Sequence, residues 1–264
     1  MSIDNWKGFL VPYEQAVEEI KIKIKSIRKE YRRNNEYSPV EFVTGRVKEV
    51  SSILEKARKF GIPADRVGYE LEDIAGIRIM CQFVDDIYTV VDILRSRRDM
   101  TILYEKDYVD NVKASGYRSY HIIIKYQVNL ASGPKDIIAE FQIRTLAMNF
   151  WATVEHSLNY KYKHQIPKEL KDKLKGSADV AFRLDEQMLE IKDEIKDAQK
   201  LFEVKSDVIS NIMNSIFTLF SIGRSAQAER FQKELNKLLE NGEVWELNNL
   251  YFLIKKEIGK YKDS

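Results

Sequence analysis

The sequence holds one cysteine, five prolines and only three histidines in 264 residues, and what it lacks narrows the field. Cys81 has no partner for an internal disulfide, and its place in the apolar run IRIMCQF makes it a small buried hydrophobe, as a reducing compartment permits. There is no run of about 18 apolar residues, which a membrane-spanning helix requires. The first ten residues lack the basic start, apolar run and small-residue site of a secretory signal. The protein is therefore expected to be soluble and cytoplasmic, with no membrane partner. A charge of one sign is missing as well: 43 basic and 41 acidic residues leave +2, which excludes a polyanion-binding shell over the whole molecule, so any anion site is local. Residues 1–60 carry a local excess, with 13 Lys and Arg against 9 Asp and Glu.

What is present is enough apolar residue for a core, at 44%, in a chain long enough for one large domain or a domain with an appendage. Tyr13, Val17, Ile20, Ile24, Ile27 and Tyr31 recur at alternating spacings of four and three, the stripe of an amphipathic helix. Ser38-Pro39 with Glu41 three residues after the serine has the form of a capping box, predicting a second helix to about Phe60, stopped by Gly61 and Pro63. IAGIRIMCQF alternates like a strand. A helix is expected from about Asp85 to Arg97, then strands near 100–108, 118–128 and 135–144. Helical periodicity returns from Leu146, and a charged amphipathic helix is expected from Lys168 to about Phe202. The remaining residues read as two or three helices divided near Gly223 and Asn241-Gly242. Strands clustered between helices make an α+β fold.

Four groups of residues carry chemistry. On the expected second helix, Lys48, Ser52, Lys56 and Lys59 fall at spacings of four, four and three, with Val47, Val50, Leu54 and Ala57 on the opposite side and Arg46 just upstream. A row of cations and a hydroxyl suits a chain of phosphate oxygens, although a lysine-rich helix face is also an ordinary solvated surface. In the strand from Ile137, alternation sends Ile137, Ala139, Phe141 and Ile143 one way and Glu140, Gln142 and Arg144 the other. The same rule groups Tyr117, Ser119 and His121 just after Gly116, a ring, a hydroxyl and an imidazole fit for a nucleoside, or for amphipathic surface cover. Asp73 stands at the mouth of the first expected strand, where Gly76 admits close backbone approach and Arg78 alternates away from Ile77 and Ile79. Mg²⁺ takes one or two carboxylates plus phosphate and water, so Asp73 and Glu140 suffice if their strands are neighbours.

TGRVK at Thr44–Lys48, DIAGIR at Asp73–Arg78, SGYRSYH at Ser115–His121 and EFQIRT at Glu140–Thr145 resemble, in order, the synthetase domain of RelA/SpoT-type alarmone synthetases, and in length and order of elements the small RelQ-like branch. The resemblance covers residues 1–203 and leaves 204–264 as a helical extension of unassigned role. It implies a nucleotidyltransferase-like mixed sheet flanked by helices. The implied reaction transfers the β,γ-pyrophosphate of ATP to the ribose 3′-hydroxyl of GTP or GDP, with Mg²⁺, to give (p)ppGpp and AMP in stringent-response signalling. By the same carry-over, Arg46, Lys48, Ser52, Lys56, Lys59 and Arg78 are expected on the ATP side, Lys59 standing where relatives often have arginine. Asp73 and Glu140 are expected as metal ligands and catalytic carboxylates, Glu140 being the candidate general base. Lys113, Tyr117, His121, Glu140 and Gln142 are expected at the acceptor nucleotide, with Tyr117 stacking on guanine.

The resemblance further implies a homotetramer and an allosteric pppGpp pocket holding Lys21, Lys25, Arg28, Phe42, Thr44 and Asn149. Long family members carry a metal-dependent hydrolase built on a His-Asp pair; here His121, His156 and His164 are followed by Ile, Ser and Gln, so synthesis without hydrolysis is expected, with His156 and His164 as ordinary helix and loop residues. Two other readings stay open on the residues themselves. A noncatalytic RNA-binding module would use the basic faces and tyrosines but gain nothing from the carboxylates. A nucleotidyltransferase moving AMP would share the fold in outline.

Overall fold

The computed structural model describes residues 5–162 and 167–261, so His164 lies outside the described residues. Asn5 caps the first helix, α1 (Trp6–Arg33), by accepting from the Gly8 amide at 2.9 Å. The chain continues through β1 (Phe42–Val47), α2 (Val50–Phe60), the short α3 (Val67–Glu70), β2 (Ala75–Cys81) and α4 (Val84–Arg95). Then come β3 (Thr101–Asp107), β4 (Tyr120–Leu130), β5 (Gly133–Thr145), α5 (Leu146–Lys161), α6 (Lys168–Ser221), α7 (Ser225–Asn241) and α8 (Val244–Gly259).

The five strands form one mixed sheet in the order β1-β2-β5-β4-β3. The central pair β2 and β5 is parallel and the other three pairs are antiparallel. On one face Ile77, Ile79, Ile122, Ile124, Ala139, Phe141 and Ile143 are buried against the α1 stripe and against Ile87, Val90, Val91 and Leu94 of α4. That face and its helices form the main core. Cys81 is fully buried in it.

One expectation fails at residues 38–49, where a strand stands in place of a helix. The Ser38 hydroxyl bonds the backbone of Val40 in a local turn, and the Glu41 carboxylate is taken by Arg28 at 2.8 Å and Gln82 at 2.9 Å, so no capping box forms. FVTGRV instead alternates, with Val43 buried and Phe42, Thr44 and Arg46 exposed. Gly45 lets α1 come close: a Cβ there would sit 2.6 Å from Val17 Cγ1 and 2.9 Å from Lys21 Cδ. Lys48 therefore precedes α2, and Ile53 and Ala57, not Val47 and Leu54, are its buried side. Gly61, left-handed at φ 65°, ends the helix as expected.

Helix α6 runs to Ser221, past the expected end near Phe202. The chain divides into two compact units, residues 1–189 and 190–264. The second has its own core of Ile212, Ile216 and Leu219 with Phe231 and Leu235 of α7 and Leu247, Leu250 and Ile254 of α8. Breaks after Ser221 and Asn241 fall where Gly223 and Asn241-Gly242 placed them. Among the described residues no helix is long and apolar enough to cross a membrane.

Candidate active site

The sheet face opposite the core carries the polar residues, and strand register assembles them into rows. Side chains of paired residues point to the same face. Thr44 pairs with Arg78, Arg78 with Gln142, Gln142 with His121 and His121 with Lys106. The neighbouring row runs Arg46, Gly76, Glu140, Ile123 and Tyr104. Gly76 leaves the place between Arg46 and Glu140 without a side chain. The adjacency required of the Asp73 and Glu140 strands is met, because β2 and β5 are neighbours.

Asp73 sits in the turn before β2, and the Lys48 amide bonds the Ile74 carbonyl at 2.8 Å, pinning the entry to α2 beside it. One carboxylate oxygen, Oδ2, receives Lys48 Nζ at 2.6 Å and Lys56 Nζ at 2.9 Å. Burial opposes the charge, but the two lysines outweigh it and hold the carboxyl below its usual range. The second oxygen, Oδ1, is buried with no hydrogen-bond partner. Beside this pair a cavity of about 640 Å³ is lined by Arg46, Lys48, Ser52, Lys56 and Lys59. Val47, Glu49, Glu55 and Phe60 line it as well, together with three residues of α5, Glu155, His156 and Asn159. Sequence reasoning missed those three; the spacing of four between Glu155 and Asn159 shows one helix face but not what it meets. Arg78 lies close enough to Arg46 and Arg144 that burial and then their charges lower its pKa.

On the other side of Glu140 the contacts close into a network. Glu140 Oε1 meets His121 Nδ1 at 2.8 Å, and Oε2 accepts from Gln142 Nε2 at 2.8 Å. Burial raises the Glu140 carboxyl, yet its interactions with His121 and then the Gln142 bond bring it below the ordinary range, against the charge of Asp73. His121 Nε2 lies 2.8 Å from the Tyr117 hydroxyl, which also accepts from Arg144 Nη2 at 2.5 Å. Tyr117 and Ser119 precede β4 rather than lying in it, but they still converge: Ser119 accepts from Arg144 Nε at 3.2 Å. Lys113 Nζ stands 4.2 Å from the Tyr108 ring centre and 4.8 Å from that of Tyr117. Burial and the nearby Lys106 and Arg144 lower its pKa in spite of Glu140. Tyr108, edge-on to His121 at 5.2 Å, is the last residue of the strand expected over 100–108 and stands just past the end of β3; it was given no role. Arg144 was placed on the polar face but given no role.

The six residues expected at an allosteric pocket are not gathered by one chain. Lys21 packs its stem at Gly45 and pairs with Glu18, and Arg28 pairs with Glu41, on the α1 side of β1. Phe42 and Thr44 point from the opposite face of that edge strand. Lys25 is exposed, and Asn149 on α5 has a buried Oδ1 without a hydrogen-bond partner.

Two half-buried carboxylates, a cavity with Arg46, Lys48, Lys56 and Lys59 in its lining on one side and an aromatic and imidazole cluster on the other suit chemistry between two nucleotides. Residues 45–165 match the region found in RelA / SpoT proteins. The chain is 53% identical over 205 residues to the GTP pyrophosphokinase YjbM of Bacillus subtilis, a match covering 78% of this chain and 97% of that relative. The chain belongs to the RelA/SpoT family. The crystal structure of the small alarmone synthetase 1 from Bacillus subtilis bound to its product pppGpp superposes on this RelA/SpoT protein with a TM-score of 0.70 and 55% identity, over 72% of this chain and 97% of that one. The same enzyme bound to AMPCPP gives 0.65 and 51%, over 73% and 98%. The mixed five-stranded sheet flanked by helices is thus the family's fold.

Proposed function

We propose that this protein transfers the β,γ-pyrophosphate of ATP to the ribose 3′-hydroxyl of GTP or GDP, giving (p)ppGpp and AMP. The observation that carries the reading is the placement of Glu140 between two distinct environments, a cavity of about 640 Å³ that holds Arg46, Lys48, Lys56 and Lys59 and an aromatic cluster of Tyr108, Tyr117 and His121. The relative named a GTP pyrophosphokinase and the synthetase structures bound to pppGpp and to AMPCPP support it. Lys48, Ser52, Lys56 and Lys59 take the ATP phosphates, and Arg46 with Arg78 the adenine side. Tyr117, Lys113, His121 and Gln142 hold the acceptor, and Glu140 accepts the hydroxyl proton as the β-phosphorus is attacked.

The donor set fits a hard divalent cation. Asp73 Oδ1 is a buried carboxylate oxygen lacking a partner, and Glu140 is near enough to feel the charge of Asp73. Asp73 and Glu140 would hold Mg²⁺, which would neutralise phosphate charge and leave the remaining coordination to phosphate and water. Lys48 and Lys56 then give up Asp73 for phosphate oxygens.

Residues 1–203 form the synthetase domain in this reading, and 204–264 a helical extension. The chain assembles as a homotetramer in the cytoplasm, and pppGpp activates it at a pocket holding Lys21, Lys25, Arg28, Phe42, Thr44 and Asn149. Two observations support assembly. The pocket residues lie on opposite faces of an edge strand, and Leu146, Phe150, Val180, Leu184 and Met188 leave an open apolar groove between α5 and α6. Incubation with γ-labelled ATP and GTP is expected to put label into a guanine product; AMP-modified acceptor without label would refute pyrophosphate transfer. Sigmoidal rates that become hyperbolic on adding pppGpp are expected, and indifference to pppGpp would remove the allosteric pocket.

A further inference from the structure

The Arg144 guanidinium is buried, at 5% exposure, and its hydrogen bonds run to Tyr117, Gln142 and Ser119. These partners are neutral, and Arg78 is a second cation nearby. A guanidinium in such a place costs stability that an apolar side chain would not, so packing alone does not account for it.

Arginine only donates hydrogen bonds, and this sets the direction of everything attached to it. Gln142 Oε1 accepts from Arg144 Nη2 at 3.0 Å and from Arg78 Nε at 3.3 Å. Its amide nitrogen is thereby turned to Glu140 Oε2. The Tyr117 oxygen is likewise occupied as an acceptor by Arg144, which directs the Tyr117 hydrogen to His121 Nε2. In a neutral imidazole whose Nε2 accepts, the proton resides on Nδ1, facing Glu140 Oε1. Both oxygens of Glu140 are therefore met by donors that the Arg144 guanidinium orients, with Arg78 sharing the Gln142 branch.

We infer that Arg144 is a positioning residue for Glu140, acting through Tyr117 and His121 on one oxygen and through Gln142 on the other. It fixes the carboxylate in a single orientation toward the acceptor hydroxyl. The inference rests on the proposed role of Glu140, but its test includes a readout independent of turnover.

Imidazole ¹⁵N NMR at alkaline pH, assigned against His121→Asn, reads the tautomer directly. The wild-type ring is expected to carry its proton on Nδ1, and Arg144→Gln to give a mixture of tautomers. In steady-state kinetics Arg144→Gln is expected to lower kcat roughly 10- to 100-fold without moving KM for ATP, because small misplacement of a reacting group has effects of that order. Arg144→Lys, which replaces the planar fork with one ammonium, should fall between the two. In a Tyr117→Phe/Gln142→Ala background the same substitution should add less than about threefold, since its routes are already cut. A wild-type proton on Nε2, or an undiminished Arg144→Gln effect in that background, overturns the inference. Should Arg144→Gln fail to fold, Arg144→Lys and Tyr117→Phe give the same two readouts. If wild-type protein makes no (p)ppGpp while the tautomer result holds, the functional reading fails and the orienting role of Arg144 stands.

Discussion

On the ATP side, Lys48 and Lys56 share one oxygen of Asp73 while Ser52 and Lys59 line an open cavity; on the acceptor side, Tyr117, His121, Gln142 and Arg144 are already bonded to one another around Glu140. The first arrangement must exchange partners when nucleotide arrives. The second is held in place beforehand. Oriented dipoles that need no rearrangement during reaction are worth most where a proton moves, whereas flexible lysines tolerate a chain of phosphates in several poses. The difference separates a site that collects charge from one that aims a base.

The sharpest test removes the carboxylate at the centre of each arrangement. Glu140→Gln and Asp73→Asn are each expected to lower kcat by roughly 10²-fold or more, the range of general-base and charge-positioning contributions. Circular dichroism and the thermal midpoint should stay near wild type. A folded variant with normal turnover would strike that residue from the mechanism.

Next, Lys56→Ala should separate the two sides. Losing a charge-assisted phosphate contact is expected to cost roughly 10- to 100-fold in kcat/KM for ATP, with little change in KM for GTP. Equal losses for both nucleotides would mean that the cavity and the network act as one site.

The two sides also differed in how much the sequence disclosed. Glu140, Gln142 and Arg144 were placed on one face by alternation alone, because β5 is a long strand with a continuous apolar partner face. Ser52, Lys56 and Lys59 stay on one face despite the different start of the helix, because their spacings of four and three lie wholly within α2, and Lys48 joins them through its bond to Asp73. Strand β1 was invisible: Ser38-Pro39 and Glu41 imitate a helix start, and only the pairing with β2 and the close approach of α1 at Gly45 decide otherwise. Glu155, His156 and Asn159 were beyond reach for a related reason, since no local pattern says which cavity a helix face will meet. The extra length of α6 shows the same limit, its periodicity continuing into residues whose partners lie in α7 and α8.

A smaller effect is expected where the acceptor side meets α6. Gly116 has φ 89°, and a Cβ there would lie 2.7 Å from Ala178 Cβ. Gly116→Ala should destabilise the fold by about 1–3 kcal/mol through backbone strain and this contact. It should also raise KM for GTP more than KM for ATP, because Tyr117 follows directly. Ala178→Gly ought to cost less in that background than in wild type, the coupling being the share due to the contact. Strict additivity in urea melts would show that only the backbone matters.

The smallest effect concerns Asp185 of α6, which is buried and accepts from the Thr145 hydroxyl at 2.6 Å, at the junction of β5 and α5. Burial raises its carboxyl from 3.8 to about 6, against the Thr145 bond and the charge of Arg118. A carboxyl raised on folding binds more protons in the native state, so its stabilising contribution is complete below about 4 and is lost as pH rises through about 6. Asp185→Asn keeps an oxygen for Thr145 and has no charge to desolvate. It is expected to raise stability at pH 7 on the order of 1 kcal/mol, allowing for partial solvent screening. It should also remove the decline in thermal midpoint expected of wild type between about pH 4 and 6. Identical pH profiles for the two proteins would mean that Asp185 stays ionised throughout, with Arg118 outweighing burial.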